Sequence, residues 1–225
     1  MAFTRLPGLI DVHVHMREPG ATHKEDFKTG SRAAIKGGFT YIVDMPNNTV
    51  PTVSDERLAE KIMLVKEKAI CDIGFHFGTD GKNLENFAQV SKSNAVFGLK
   101  VYCNHTTGTL LIEDPVVLEK VFEAWKSQKP ILVHAEGSQL EHAISISKKY
   151  ARRLHVCHIS QASEVAMVRK AKQEGGDVTA GVTPHHLFLT KDDLTLKKGF
   201  AMMKPPLGSQ EDQDAAKAAI EEKAK

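Results

Sequence analysis

The feature that most constrains the fold is a sevenfold alternation of short apolar, β-branched runs with longer stretches of helical periodicity. This alternation is typical of parallel strands joined by crossover helices. One helix start is well marked, because Asp114 can cap the first turn and Pro115 occupies the first helical position. The predicted strands are LIDVHVH, FTYIVDM, CDIGFHFG, AVFGLKVY, PILVHAE, RLHVCHI and DVTAGVT. The other predicted helices start near Lys24, Ser54, Lys82, Ser138 and Ala162.

Seven such units suit either a TIM-type (β/α)₈ barrel that lacks its eighth strand or a doubly wound open sheet. A barrel places chemistry at the C-terminal ends of several strands, whereas a doubly wound sheet favours one crevice. No GxGxxG or P-loop pattern follows any strand. We therefore predict an α/β barrel without an eighth strand over residues 1–209, and a polar, loosely packed helix over 210–225. The polar residues at or near strand ends are His13, His15, Asp44, Lys100, His134, Glu136 and His158.

The charge balance excludes some classes of partner. The 225 residues include 30 basic and 28 acidic side chains, and no long block of one sign occurs. Nucleic acid is therefore not an expected partner. The chain has no apolar run of about 18 residues and no secretory signal at its start, so we expect a soluble, cytoplasmic protein without membrane contact. Cys71, Cys103 and Cys157 are odd in number and lack CxxC spacing, which favours reduced thiols.

His13 and His15 stand one residue apart at the end of the first predicted strand. Alternate side chains of a strand point to the same face, so the two imidazoles are expected about 6.6 Å apart. Two imidazoles on one face can share a metal ion. Taken alone, the pair fits two half-buried, hydrogen-bonded histidines equally well.

Lys100 lies between Leu99 and Val101, where burial of an ammonium without a partner would cost several kcal/mol or more. Such a lysine can extend its ammonium to water at the strand end. Alternatively, nearby cations and desolvation favour the neutral amine, which can react with CO₂ to give a carbamate able to bridge two metals. His134 and His158 also end apolar strands. Singly each fits a core histidine, but the set of four histidines and one lysine offers ligands suited to zinc.

Six motifs together resemble one known family. They are PGLIDVHVHMREPG, KEDFKTGSRAAIKGGFTYIVDMPNN, GLKVY, HAE, VCHIS and TPHHLFLT, which cover the chain in order to about Ser209. They resemble the amidohydrolase superfamily, specifically dihydroorotases of the animal multifunctional pyrimidine enzyme and of bacteria. The resemblance implies that His13 and His15 bind one zinc ion and His134 and His158 another. It also implies that carboxylated Lys100 bridges the two ions as a catalytic residue.

The resemblance further implies interconversion of dihydroorotate and N-carbamoyl-aspartate in pyrimidine biosynthesis. The substrate carboxylate calls for a fork-shaped cation, which Arg17 can supply, and Asn47 can add an amide. Arg17 could instead be a solvated loop cation. In this family the loop after the bridging lysine closes over the substrate, and here it offers Thr106 and Thr107. Cys157 alternates to the face opposite His158 and is interpreted as a packing residue.

The sequence departs from the family pattern in two places. Dihydroorotases close the barrel with an eighth strand that carries an aspartate and a histidine in a DHAPH-like motif, and this chain has no such motif. Asp192 and Asp193 lie in a loop leading into a helix and do not replace that aspartate. Lys204 stands where many bacterial relatives have asparagine. We assign no role to Lys204, or to His185 and His186.

Two other functions remain alternatives at this point. The first is a non-catalytic dihydroorotase-like subunit that scaffolds a partner such as aspartate transcarbamoylase. The complete set of expected ligands opposes it, because degenerate subunits usually lose ligands. The second is an allantoinase or hydantoinase, which Arg17 opposes. Because an incomplete barrel leaves open strand edges, we expect a homo-oligomer or association with another pyrimidine-pathway enzyme.

Overall fold

The computed structural model describes residues 4–224, and the chain divides into two compact units. Unit 1 is Met1–Lys100 with Thr107–Leu110, and unit 2 is Val101–Thr106 with Leu111–Lys225. The described residues contain seven parallel strands, hydrogen-bonded in chain order, as the sequence predicts. These strands are β1 (Leu9–Val14), β2 (Phe39–Asp44), β3 (Asp72–Gly78), β4 (Val96–Tyr102), β5 (Ile131–His134), β6 (Leu154–Val156) and β7 (Val178–Ala180).

Helices connect the strands, which confirms the predicted alternation of β and α elements. They are α1 (Phe27–Lys36), α2 (Asp55–Lys68), α3 (Phe87–Val90), α4 (Pro115–Ala124), α5 (Gly137–Lys149), α6 (Ala162–Gln173), α7 (Pro184–Phe188), α8 (Asp193–Lys197) and α9 (Gln210–Ala224). None of these helices has the length and apolar character that crossing a bilayer requires, over the residues that the structure describes.

Unit 1 is built on the parallel pairs β1–β2, β2–β3 and β3–β4. Local sequence sets its helix boundaries. The Asp26 side chain caps α1 by accepting a hydrogen bond from Thr29 N, and α1 ends at Gly37. Ser54 caps α2 at the predicted start. The core between sheet and helices is aromatic and aliphatic, and it includes Phe27, Ile42, Phe75, Phe77 and Leu99.

Unit 2 contains the parallel pairs β5–β6 and β6–β7. Asp114 accepts a hydrogen bond from Val116 N at 2.8 Å, and Pro115 takes the first position of α4, both as predicted. In α9, Ala216 is buried, and Asp212 accepts from Ala162 N at 2.8 Å. The core of unit 2 is formed by buried side chains of α4, β5 and their connection, including Leu118, Phe122, Trp125, Ile131 and Val133.

Several elements are shorter than the sequence pattern predicts, among them the helix near Lys82 and the strands β6 and β7. The helix expected near Lys82 is reduced to a single turn followed by α3, because Asn83 instead binds the Val53 and Gly78 carbonyls. Strand β6 ends at Val156, two residues before His158, whose φ of +36° is incompatible with an extended strand.

Candidate metal centre

The first histidine pair lies at the end of β1 in unit 1. His13 is within the strand and His15 follows it, and both side chains are half-buried. Their ring centroids are 5.4 Å apart with planes inclined by 56°. The alternation of a single strand therefore places two imidazoles side by side.

His15 has a strongly perturbed proton affinity. Burial, followed by the positive charges of Arg17 and Lys100, lowers its pKa from 6.5 to about 3, while a side-chain hydrogen bond with Asn47 acts in the opposite direction. The imidazole is therefore neutral at physiological pH. A neutral imidazole keeps a lone pair, which is the form that binds a metal ion.

Lys100 lies in β4, where it pairs in register with Gly78. Its side chain is 0 % exposed, and it is the last residue of unit 1 before the chain enters unit 2. Because this side chain is excluded from water, the structure does not fit the interpretation in which Lys100 extends its ammonium to water at the strand end.

The second histidine pair belongs to unit 2 and comes from two different segments. His134 is the last residue of β5, and His158 follows β6. His134 Nδ1 and His158 Nε2 lie 3.0 Å apart, and the rings meet edge to face. Two nitrogens bound to one tetrahedral zinc ion at about 2.0–2.1 Å are separated by about 3.3 Å. The observed separation is therefore close to the one that a shared ion needs.

A carboxylate accompanies this second pair. Glu136 Oε1 is 3.6 Å from His134 Nε2, and the Glu136 main-chain N–H donates to Asn104 Oδ1 at 2.8 Å. Burial raises the pKa of Glu136, and the positive charge of Lys204 partly opposes this shift. The sequence places Glu136 at a strand end, but it gives no reason to expect Asn104 or Lys204 near it.

The candidate substrate residues divide between the units. In unit 1, Arg17 is half-buried and has a φ of +60°, a backbone conformation that is uncommon for residues other than glycine. Asn47 is buried and donates to the Thr107 carbonyl at 2.8 Å, so it meets the loop after β4. The Thr107 side chain is exposed. Thr106 belongs to unit 2 and is half-buried.

A buried ionic network beneath the Arg17 loop is absent from the sequence-based expectations. Lys61 of α2 is 1 % exposed and pairs with Asp44, which is 0 % exposed, at 2.5 Å. A signal is present in the sequence, because Lys61 follows Leu58 by three residues and therefore shares its buried helix face. A lysine on the apolar face of an amphipathic helix indicates a buried anion partner.

Two further features lie outside the candidate set. His186 is buried, with Nδ1 2.7 Å from Thr183 Oγ1 and Nε2 3.2 Å from the Pro205 carbonyl, so protein groups engage both ring nitrogens. A cavity of about 430 Å³ in unit 2 is lined mainly by α6, α9 and the residues after β7. None of the candidate site residues lines it.

The five candidate metal ligands comprise one histidine pair with Lys100 in unit 1 and a second histidine pair in unit 2. Among the described residues, no group of three or more His, Cys, Asp or Glu side chains is arranged to hold a metal.

Comparison with known proteins gives one family. The model of the amidohydrolase family matches residues 4–222. The chain is 41% identical over 215 residues to the multifunctional protein CAD of Squalus acanthias, covering 94% of this chain and 9% of that protein. It is 34% identical over 238 residues to the dihydroorotase of Lactobacillus helveticus, covering 93% of this chain and 56% of that protein. The chain thus spans about half the length of this bacterial relative.

Solved structures give the same fold. L-Hydantoinase from Arthrobacter aurescens matches with a TM-score of 0.86 at 23% identity, over 93% of this chain and 54% of that one. The inactive dihydroorotase-like domain of the Chaetomium thermophilum CAD-like protein matches with a TM-score of 0.80 at 24% identity, over 96% and 61%. At these identities the matches establish the fold alone.

Proposed function

The chain belongs to the amidohydrolase family, and from this premise we propose that it is the catalytic portion of a zinc-dependent dihydroorotase. The reaction is the interconversion of dihydroorotate and N-carbamoyl-aspartate in pyrimidine biosynthesis. The observation that carries the proposal is the pairing of imidazoles at strand ends, 5.4 Å between ring centroids in unit 1 and 3.0 Å between nitrogens in unit 2. The dihydroorotase relatives support the choice of substrate.

We assign one zinc ion to His13 and His15, a second to His134 and His158, and the bridging position to carboxylated Lys100. The neutral state of His15 and the nitrogen separation of the second pair fit this assignment. When bound, zinc polarises the amide carbonyl and activates water. The Lys100 side chain is 0 % exposed, and a neutral lysine amine adds CO₂ with loss of one proton to give a carbamate, an anion with two oxygens.

Arg17, Asn47, Thr106 and Thr107 are assigned to the substrate. The Arg17 guanidinium offers two parallel donors to the dihydroorotate carboxylate, a geometry that lysine cannot reproduce. Asn47 is already held by the Thr107 carbonyl, so it links the loop after β2 to the loop after β4. Thr106 and Thr107 belong to that second loop, and we assign them to covering the substrate.

A non-catalytic role as a scaffold for a partner such as aspartate transcarbamoylase is the second candidate. Its support is the fold match to a domain described as inactive. Against it stands the retention of all five candidate metal ligands, since a scaffold has no need for them. An allantoinase or hydantoinase activity is the third candidate, and the hydantoinase matches support it only at the level of fold.

We also propose a cytoplasmic location and association with itself or with other pyrimidine-pathway enzymes. None of the three cysteines is in a disulfide, which is typical of a reducing compartment. Multifunctional relatives from Squalus acanthias and Dictyostelium discoideum support association with other enzymes.

A direct assay separates these candidates. The chain is loaded with zinc in bicarbonate buffer and supplied in turn with dihydroorotate, allantoin, hydantoin and dihydrouracil. We expect ring opening of dihydroorotate in preference to the other three, and its loss in His134→Ala. His186→Gln is the control, because both ring nitrogens of His186 are hydrogen-bonded to protein groups and His186 is not a candidate ligand. Turnover of hydantoin or allantoin in preference to dihydroorotate would overturn the proposal, as would the absence of any turnover at full metal loading.

A further inference from the structure

Lys61 is the buried centre of a network that reaches both sides of Arg17. Its Nζ lies 2.5 Å from Asp44 Oδ2, donates to Asn48 Oδ1 at 2.9 Å and to the Met45 carbonyl at 3.2 Å. One ammonium therefore holds the side chains of an aspartate at the end of β2 and of an asparagine in the segment that follows β2.

Those two side chains bind main-chain groups of Met16 and Glu18, the residues that flank Arg17. Asp44 Oδ1 accepts from the Met16 main-chain N–H at 2.9 Å, and Asn48 Nδ2 donates to the Glu18 carbonyl at 2.8 Å. Arg17 between them has a φ of +60°. A residue with a side chain keeps this conformation only where its surroundings impose it.

The Glu18 side chain ties the same loop to two helices. Its carboxylate is 4 % exposed, accepts from Phe27 N at the start of α1 at 3.0 Å, and forms an ion pair with Lys68 at the end of α2. Buried groups therefore hold the backbone around Arg17 in place, whereas the Arg17 side chain itself is half-buried.

We propose that Lys61 is a positioning residue that acts through Asp44 and Asn48 to hold Arg17 in the orientation that recognises the substrate carboxylate. The inference rests on the proposed function, because it assigns Arg17 the same ligand. Stability alone does not explain the arrangement, since a buried ion pair is often no more stabilising than apolar side chains of similar volume. A bidentate contact demands tight control of its donor, and buried hydrogen bonds give that control.

Two substitutions test this inference, with one control. Lys61→Met removes the ammonium, whereas Asn48→Leu keeps the Lys61–Asp44 pair and removes the hydrogen bonds of Asn48 with Lys61 and with the Glu18 carbonyl. If Lys61→Met does not fold, Asn48→Leu decides. Lys66→Met is the matched control, because it makes the same change at an exposed position of α2. Each variant is assayed for KM and kcat with dihydroorotate, alone and combined with Arg17→Lys.

We expect either substitution to raise KM about tenfold or more with little change in kcat, because a misplaced guanidinium no longer forms its hydrogen bonds with the charged carboxylate. In the Arg17→Lys background the same substitution should add little, since the group that it positions is already altered. Lys66→Met should leave KM unchanged. An unchanged KM in a folded variant, or effects that simply add to those of Arg17→Lys, would overturn the inference.

Amide hydrogen exchange at Met16 distinguishes failure of this inference from failure of the proposed function. If the parent protein does not turn over dihydroorotate, or Arg17→Lys leaves KM unchanged, the proposed function fails. The network is then judged by exchange alone. Faster exchange at Met16 in Lys61→Met, but not in Lys66→Met, supports control of the loop by Lys61, and unchanged exchange overturns it.

Discussion

Unit 1 and unit 2 each contribute one histidine pair, and the two pairs differ in construction and in the charge around them. The unit 1 pair comes from a single strand. Burial has the largest effect on the pKa of His15, and the positive charges of Arg17 and Lys100 help to lower it to about 3. The unit 2 pair joins residues from two segments, and Glu136 lies 3.6 Å from His134.

The two pairs therefore differ in the sign of the charged groups beside them. Unit 2 carries its own carboxylate beside the histidines. The neighbours that depress the pKa of His15 are cations, and an anion there would offset them. A carbamate on Lys100 and the carboxylate of the substrate at Arg17 are the two anions that the proposed function supplies.

The largest effect is expected from Lys100→Met. The substitution removes the carbamate that the proposed function places on Lys100. We expect kcat/KM for dihydroorotate to fall by more than about a hundredfold, as when a major electrostatic stabiliser is removed. Lys92→Met, at an exposed position in the same unit, is the control. Retention of activity in Lys100→Met would show that the cationic environment of unit 1 needs no carbamate.

A second substitution tests whether the two histidine pairs bind separate zinc ions. His134→Ala should reduce the zinc content to the ion assigned to unit 1, because His158 alone is a weak ligand for the other. Elemental analysis of the purified variant measures this, with His186→Gln as the control. Unchanged zinc content would contradict the assignment of His134, and loss of all zinc would show that the two pairs do not bind separate ions.

The next effect concerns substrate recognition in unit 1. Arg17→Lys keeps the positive charge but replaces two parallel donors by a single ammonium. We expect KM for dihydroorotate to rise severalfold or more while kcat changes less. Steady-state kinetics at fixed zinc loading measure the change. An unchanged KM would mean that Arg17 contributes charge to the unit without binding the carboxylate.

The two pairs also differ in how far the sequence could predict them. His13 and His15 share a strand, so the two-residue period places their rings side by side. His134 and His158 meet only because β5 and β6 pair with Val133 opposite Val156, a long-range register that the sequence pattern does not specify. The sequence does not reveal the contacts of Lys61 with Asp44 and Asn48 for the same reason, since they depend on how α2 packs on the sheet.

The alternation of strands and helices was predictable because hydrophobic periodicity and local caps determine it. Asp114, Pro115 and Ser54 mark helix starts by contacts within a few residues. The early end of β6 was not predictable, because it follows from the left-handed backbone at His158. That conformation is imposed by the surrounding fold.

The smallest expected effect compares buried carboxylates. Asp44 in unit 1 has the Lys61 ammonium as its partner, whereas Glu164 in unit 2 accepts from the main-chain N–H groups of Ser160 and Gln161. Burial raises the pKa of Glu164 above 4.5. The folded state thus binds this proton more tightly than the unfolded state, so stability falls as pH rises from about 4.5 through the raised pKa.

Glu164→Gln should remove this loss and make the metal-free chain slightly more stable at neutral pH than the parent. Urea unfolding of both proteins at pH 4.5 and pH 7.5 measures the difference, which should be larger at the higher pH. A difference that is the same at both pH values would mean that folding does not raise the pKa of Glu164.

The zinc stoichiometry of the parent chain tests the central claim most directly. The protein is purified without chelator, equilibrated with zinc and bicarbonate, freed of unbound metal and analysed for zinc per chain. The proposed function predicts two zinc ions per chain, and a lower content when CO₂ and bicarbonate are excluded. A stoichiometry near zero, or a content that does not depend on bicarbonate, would contradict the account.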